Sequence, residues 1–258
     1  MRLEAFWKER ERALLSYMMV GYPNYEASLE AFRIILKEGT HLLEIGFPFS
    51  DPVADGPTIQ KAHEVALKEG IKSAHVFELT HLLREEFPTV PFLLMTYYNP
   101  IFRAGLENFC KRAVTAGIDG LIVPDLPPEE GKELKEVCTS LGLSLVFLAS
   151  PTSTPERLKL ICRASDHMVY LVSLTGTTGA RESLPMEKLK EKIKLYRSIC
   201  QKPVVVGFGI SKAEQAREIC KFAEGVVVGS HFVRLAGEGK LEELARSVRE
   251  ISRAVVEY

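Results

Sequence analysis

A chain of 258 residues, 46% of them hydrophobic, is long enough to bury about 70 to 75% of the surface its unfolded form exposes, so a large core is available. Its 33 basic and 34 acidic residues leave a formal charge of −1 without like-charge blocks, which excludes the electrostatic footprint of a nucleic-acid or anionic-membrane binder. The five cysteines (Cys110, Cys138, Cys162, Cys200 and Cys220) lie far apart with no CxxC, so all are expected to be reduced, with neither a zinc site nor a disulfide framework.

In chain order, residues 2 to 14 place Leu3, Phe6, Ala13 and Leu14 on one helical face, which predicts a leading helix lying on the domain. Eight short apolar runs follow: SYMMVGYP from Ser16, HLLEIGFP from His41, PFLLMTYY from Pro91, GLIVPD from Gly120, SLVFLAS from Ser144, MVYLVSLT from Met168, PVVVGFGI from Pro203 and GVVVGS from Gly225. They are rich in β-branched and aromatic residues, lack strict alternation and are each followed by a helical pattern, as parallel strands covered on the outside must be. Eight β-then-α units predict a (β/α)₈ TIM barrel with an extra N-terminal helix, one domain over residues 1–258. A doubly wound open sheet is the alternative, weakened because no GxGxxG opens a helix after the first strand. No apolar run is long enough for a membrane span or placed as a signal peptide, so a cytosolic protein is expected.

The strand starts are evenly spaced except from His41 to Pro91 and from Met168 to Pro203, where extra loop is expected. Both insertions, FPFSDPVADGPTIQ and TGTTGARESLPMEK, follow the carboxyl end of a strand, the end at which barrel enzymes build their sites. Within the second strand, Leu42, Glu44 and Gly46 share one face and Leu43, Ile45 and Phe47 the other. Glu44 therefore points either into the barrel or at a helix. An unpaired carboxylate in a low-dielectric interior takes up a proton, which suits a general acid/base. Asp51 and Asp55 sit in the following turn-rich loop, and Asp55 is placed to reach the far side of a ligand held over the barrel.

Glycine-bearing turns at three neighbouring strand ends, Thr178-Gly179, Phe208-Gly209 and Gly229-Ser230, predict a phosphate site, since glycine lets backbone N–H groups approach an anion. Tyr97 and Tyr170 are candidates for an apolar wall or for filled barrel layers. No lysine lies at a strand mouth, which argues against a Schiff base, and the six histidines have no metal-ligand spacing, so no metal is expected.

The segments LEIGFPFSDPVADGP, MTYYNPIF, LIVPDLPPEE, YLVSLTGTTGAR, VGFGIS and VVVGS together resemble the tryptophan synthase α subunit family across essentially the whole chain. The resemblance implies retro-aldol cleavage of indole-3-glycerol phosphate to indole and glyceraldehyde 3-phosphate, with no cofactor on this chain. It implies Glu44 as the acid/base at the indole carbon and glycerol hydroxyl, and Asp55 as the group facing the indole N–H. It further implies Tyr97 and Tyr170 lining the indole pocket, Thr178 holding Asp55 on loop closure, and Gly179, Phe208, Gly209, Gly229 and Ser230 around the phosphate. A β subunit carrying pyridoxal phosphate is the implied partner in an α₂β₂ heterotetramer, with Asp51, Pro52, Asn99 and Pro100 near the contact. A phosphosugar isomerase on the same barrel, and a non-catalytic activator of a β subunit, are the rival readings.

Overall fold

In the computed structural model, which describes residues 1–172, 186–207 and 209–257, helices and strands alternate along the chain. The first half runs α1 (Arg2–Glu9), β1 (Ala13–Met19), α2 (Tyr25–Lys37), β2 (Leu42–Gly46), α3 (Pro57–Lys68), α4 (Ser73–Glu86), β3 (Phe92–Met95), α5 (Tyr98–Ala104), α6 (Leu106–Thr115) and β4 (Gly120–Ile122). The second half runs α7 (Lys132–Ser140), β5 (Ser144–Val146), β6 (Leu148–Ala149), α8 (Pro155–Ala164), β7 (Val169–Val172), α9 (Met186–Ile199), β8 (Val204–Gly207), α10 (Ala213–Cys220), β9 (Gly225–Val228), α11 (Ser230–Gly237) and α12 (Leu241–Val256).

Among the described residues every strand pairing is parallel, in the order β5-β4-β3-β2-β1-β9-β8-β7-β6. The two ends of that order, β5 and β6, are halves of one apolar run interrupted at Phe147. The first half pairs with β4 and the second with β7, so a bend in a single strand closes the (β/α)₈ barrel. Eight runs thus become nine strands, without a change of architecture.

Helix boundaries follow local chemistry. Asn24 caps α2 by accepting the Ala27 N–H, Thr154 caps α8 by accepting that of Arg157, and Pro57 and Pro155 stand in first turns, where their missing N–H has no helical partner to lose. Three expectations are corrected. The leading helix ends at Glu9, and Ala13 and Leu14 belong to β1, whose residues are all buried. The extra length between β2 and β3 is mostly a second helix, α4, rather than loop. And Cys162 is bonded to Cys200 across 38 residues, with a Cα–Cα distance of 5.8 Å, so the cysteines are not all reduced. Parallel α8 and α9 bring their C-terminal ends together, and the Lys202 ammonium ties the same corner by donating to the carbonyls of Cys162 and Ser165 at 2.5 Å each.

Strand alternation divides the core into two layers. Leu43, Ile45 and Phe47 pack outward under the helices, whereas Leu15, Leu42, Leu93, Ile122, Val205 and Val227 fill the barrel, with Leu3 of α1 buried among them. In the fourth strand Ile122 faces inward and Leu121 and Val123 outward. At the end where strands begin, the Asp119 carboxylate accepts from Arg84 and from the Phe92 N–H, both at 2.8 Å, and also from Arg2. This ties α1 and α4 to the foot of the barrel and leaves the opposite end open. No helix of the described residues is long and apolar enough to cross a membrane.

Candidate active site

The open end holds a cavity of about 540 Å³ whose lining includes Glu44, Asp55, Tyr17, Tyr170, Gly209, Gly229 and Ser230. Because Leu42 belongs to the barrel interior, Glu44, two residues on, turns inward as well, into the floor of this cavity. The residue is fully buried, and neither carboxyl oxygen has a hydrogen-bond partner among the described residues. Burial, and then the charge of Asp55, push its pKa up to about 8. A carboxyl group so placed is protonated at neutral pH and has a proton to give.

Asp55 ends the loop after β2, where α3 begins. Its Oδ2 accepts from the Tyr97 hydroxyl at 2.7 Å and lies 3.1 Å from His63 Nε2, while Gln60 donates to its backbone carbonyl at 2.9 Å. Tyr97 lies behind Asp55 and off the cavity wall. Its ring stacks on Phe49 with centroids 5.2 Å apart, and its hydroxyl accepts the Ala54 N–H at 3.1 Å. Tyr97, expected in the ring pocket, is thus placed here as a donor to Asp55 and is not among the residues that line the cavity. Burial, and then the nearby Asp55 charge, raise its phenol pKa, so the hydroxyl stays a donor.

Tyr170 does line the cavity, joined by Tyr17, which the sequence reading did not single out. Burial is the first cause that raises both phenols well above their usual range, with the carboxyls of Glu44 and Asp55 adding to it. Both keep their protons. A signal for Tyr17 was present in the alternation of Ala13, Leu15 and Tyr17, but with every β1 residue buried the inward face could not be chosen from sequence.

Gly209, with φ of +53°, follows β8, and Gly229 and Ser230 follow the neighbouring β9, and all three line the cavity. His231 and Arg234 of α11 line the cavity too, neither foreseen; burial is the first cause that lowers the His231 pKa, so the positive charge there is that of Arg234. Arg234 also pairs with Glu238 at 3.2 Å, so its charge is shared. Thr178, Gly179 and Phe208 lie outside the described residues. Around the rim, Asp51 and Asn99 are exposed and Pro52 and Pro100 partly so, with the exposed Val53 and Phe102 beside them in the chain. Among the described residues no group of three or more His, Cys, Asp or Glu is arranged to hold a metal ion.

A family model described as tryptophan synthase alpha chain matches residues 3–257. A tryptophan synthase alpha chain from Aquifex aeolicus is 64% identical over 97% of this chain and 95% of its own length. A solved structure from the same organism superposes with a TM-score of 0.93 at 59% identity, covering 99% of both chains. A Pyrococcus furiosus structure that describes mutual activation in a tryptophan synthase α₂β₂ complex matches with a TM-score of 0.86 at 42% identity, over 94% of this chain and 98% of that one.

Proposed function

The chain belongs to the tryptophan synthase alpha chain family, and on that footing we propose that Glu44 and Asp55 carry out its chemistry. The reaction is the cleavage of indole-3-glycerol phosphate to indole and glyceraldehyde 3-phosphate, the α half-reaction of tryptophan synthesis. The observation that carries the assignment is the Glu44 carboxyl, buried without a hydrogen-bond partner among the described residues on the floor of a cavity that Asp55 also lines.

Protonated Glu44 gives its proton to the indole carbon that bears the glycerol chain. The positive charge this places on the ring nitrogen is met by the Asp55 carboxylate. Glu44, now ionised, takes the proton of the adjacent glycerol hydroxyl. The carbon–carbon bond breaks, its electrons return to the indole ring, and the hydroxyl carbon leaves as the aldehyde. Glu44 ends as it began, so protons balance without an added reagent. Tyr170 forms the apolar wall for the ring, with Tyr17 beside it. Gly209, Gly229 and Ser230 receive the phosphate, helped by the N-terminus of α11 and the charge of Arg234. Gly179, Phe208 and Thr178 complete the phosphate site and the closing loop in this reading.

The partner in this reading is a tryptophan synthase β subunit, which holds pyridoxal phosphate, while this chain carries no cofactor of its own. The rim that would receive it is Asp51, Pro52, Asn99 and Pro100, with Val53 and Phe102 63% and 65% exposed. A cytosolic location goes with that role. The test is indole release from indole-3-glycerol phosphate, with and without β. Glu44→Gln and Asp55→Asn should each lower turnover by about 10²- to 10⁴-fold with the fold kept, the usual worth of a positioned acid or base. A variant that retains wild-type turnover removes its residue from the mechanism.

A further inference from the structure

We propose that His63 is a positioning residue whose neutral imidazole locks Asp55 in its working orientation by bridging the two ends of the loop after β2. The inference rests on the reading of Asp55 as a catalytic carboxylate.

The ring of His63 projects from α3 and is almost fully buried, its side chain 4% exposed. Its Nδ1 accepts the backbone N–H of Phe49 at 3.0 Å. That contact decides the tautomer, because a backbone N–H can only donate and Nδ1 must therefore be bare. The proton sits on Nε2, 3.1 Å from Asp55 Oδ2, and is donated to it. One rigid ring thus ties Phe49, where the loop begins, to Asp55, where it ends. The second donor to Oδ2, the Tyr97 hydroxyl, is oriented in the same way, since its oxygen accepts the Ala54 N–H at 3.1 Å while its hydrogen goes to Asp55 at 2.7 Å. Two loop N–H groups therefore aim these two donors at the carboxylate. Gln60, three residues before His63 on the same helix, holds the Asp55 carbonyl at 2.9 Å.

Imidazole suits the task because it sets an acceptor and a donor on opposite edges of a ring with no internal freedom. Asn can keep the acceptor near Phe49 but falls short of Asp55, and Gln can place a donor near Asp55 but gives up the rigid anchor. Preorganisation of this kind is felt in turnover more than in binding, since it matters when charge develops on the substrate.

The test is a double-mutant cycle on indole release. His63→Asn should lower kcat about 10- to 100-fold while KM stays within about threefold. In an Asp55→Asn background the same change should cost less than about threefold, because there is no carboxylate left to position. His63→Gln should recover part of the loss. A His63→Asn enzyme with wild-type kcat, or one whose loss multiplies in full onto Asp55→Asn, overturns the proposal while leaving the reading of Asp55 intact. Wild-type turnover in Asp55→Asn alone sinks that reading instead. If His63→Asn does not fold, ¹⁵N-histidine NMR of the wild-type protein decides: a proton on Nε2 is expected, and a proton on Nδ1 overturns the assignment.

Discussion

Glu44 of β2 lies beside Tyr17 of β1 as its register partner in the parallel ladder, and both line the cavity at the barrel mouth. An ionisable acid therefore sits next to a phenol that burial keeps protonated, in a site held open by the absence of a side chain on Gly46. Each part of that arrangement has a measurable consequence.

Stability should fall with rising pH because of Glu44. Its pKa is about 8 in the folded chain, against about 4.5 when exposed. Below pH 4.5 the carboxyl is protonated in both states and contributes no difference. Between the two values the folded state holds a proton that the unfolded state has lost, so stability drops as pH rises through 8. Glu44→Gln removes this cost. The variant should match wild type in urea melts near pH 4 and be more stable by about 3 to 5 kcal/mol near pH 8, from about 1.4 kcal/mol for each pKa unit. Equal curves at both pH values rule this out.

Activity should share the same titration from the other side. If Glu44 must begin protonated, kcat/KM falls as pH rises through about 8. The Asp55 charge is the second cause of the raised value, so in Asp55→Asn the Glu44 carboxyl, followed by ¹³C NMR, should titrate at lower pH. An unmoved titration would separate the two groups electrostatically.

Gly46 is needed for space rather than for backbone freedom. A Cβ there would meet the Tyr17 hydroxyl and lie 2.7 Å from its Cζ, pushing the ring into the cavity beside Glu44. Gly46→Ala should lower kcat/KM by about tenfold or more, at a stability cost of about 1 to 3 kcal/mol for overpacking. Adding Tyr17→Phe, which removes the clashing oxygen, should restore part of both. Failure of the second change to help would place the strain elsewhere.

The bond between Cys162 and Cys200 lies at the C-terminal ends of α8 and α9, and neither residue lines the cavity. It closes a 38-residue separation, for which restriction of the unfolded chain predicts about 3 to 4 kcal/mol. Cys200→Ser should lower the melting temperature under oxidising conditions and leave kcat unchanged. Dithiothreitol should bring the wild type down to the variant. Identical melting temperatures with and without reductant would show that the bond is not a staple.

Much of the site could be seen before folding. Glu44 stood out because a charge within a buried strand must be used or paired, and Asp55 because a loop at a strand's carboxyl end must reach over the barrel. Gly209, Gly229 and Ser230 were singled out from turn chemistry, and all three line the cavity. The resemblance put Tyr97 on the wall of the ring pocket; in the structure β3 stops at Met95 and the Tyr97 hydroxyl is turned to Asp55. His63 gave no signal, because a histidine in an amphipathic helix reads as an ordinary surface or core residue. The cysteine pair was missed for a related reason: with 38 residues between them, only the packing of α8 on α9 reveals it.

The sequence by itself determined the succession of β and α units, the strand that carries the acid and the loops that follow the active ends, because these depend on periodicity and turn chemistry within a few residues. The tertiary structure alone decided which face of each strand turns inward, how a bend at Phe147 closes the barrel, and how Tyr97 and His63 converge on Asp55 from 42 and 8 residues away. Strand register and helix packing set those relations. They are properties of the closed sheet as a whole, in which an inward and an outward reading of a fully buried strand are locally indistinguishable.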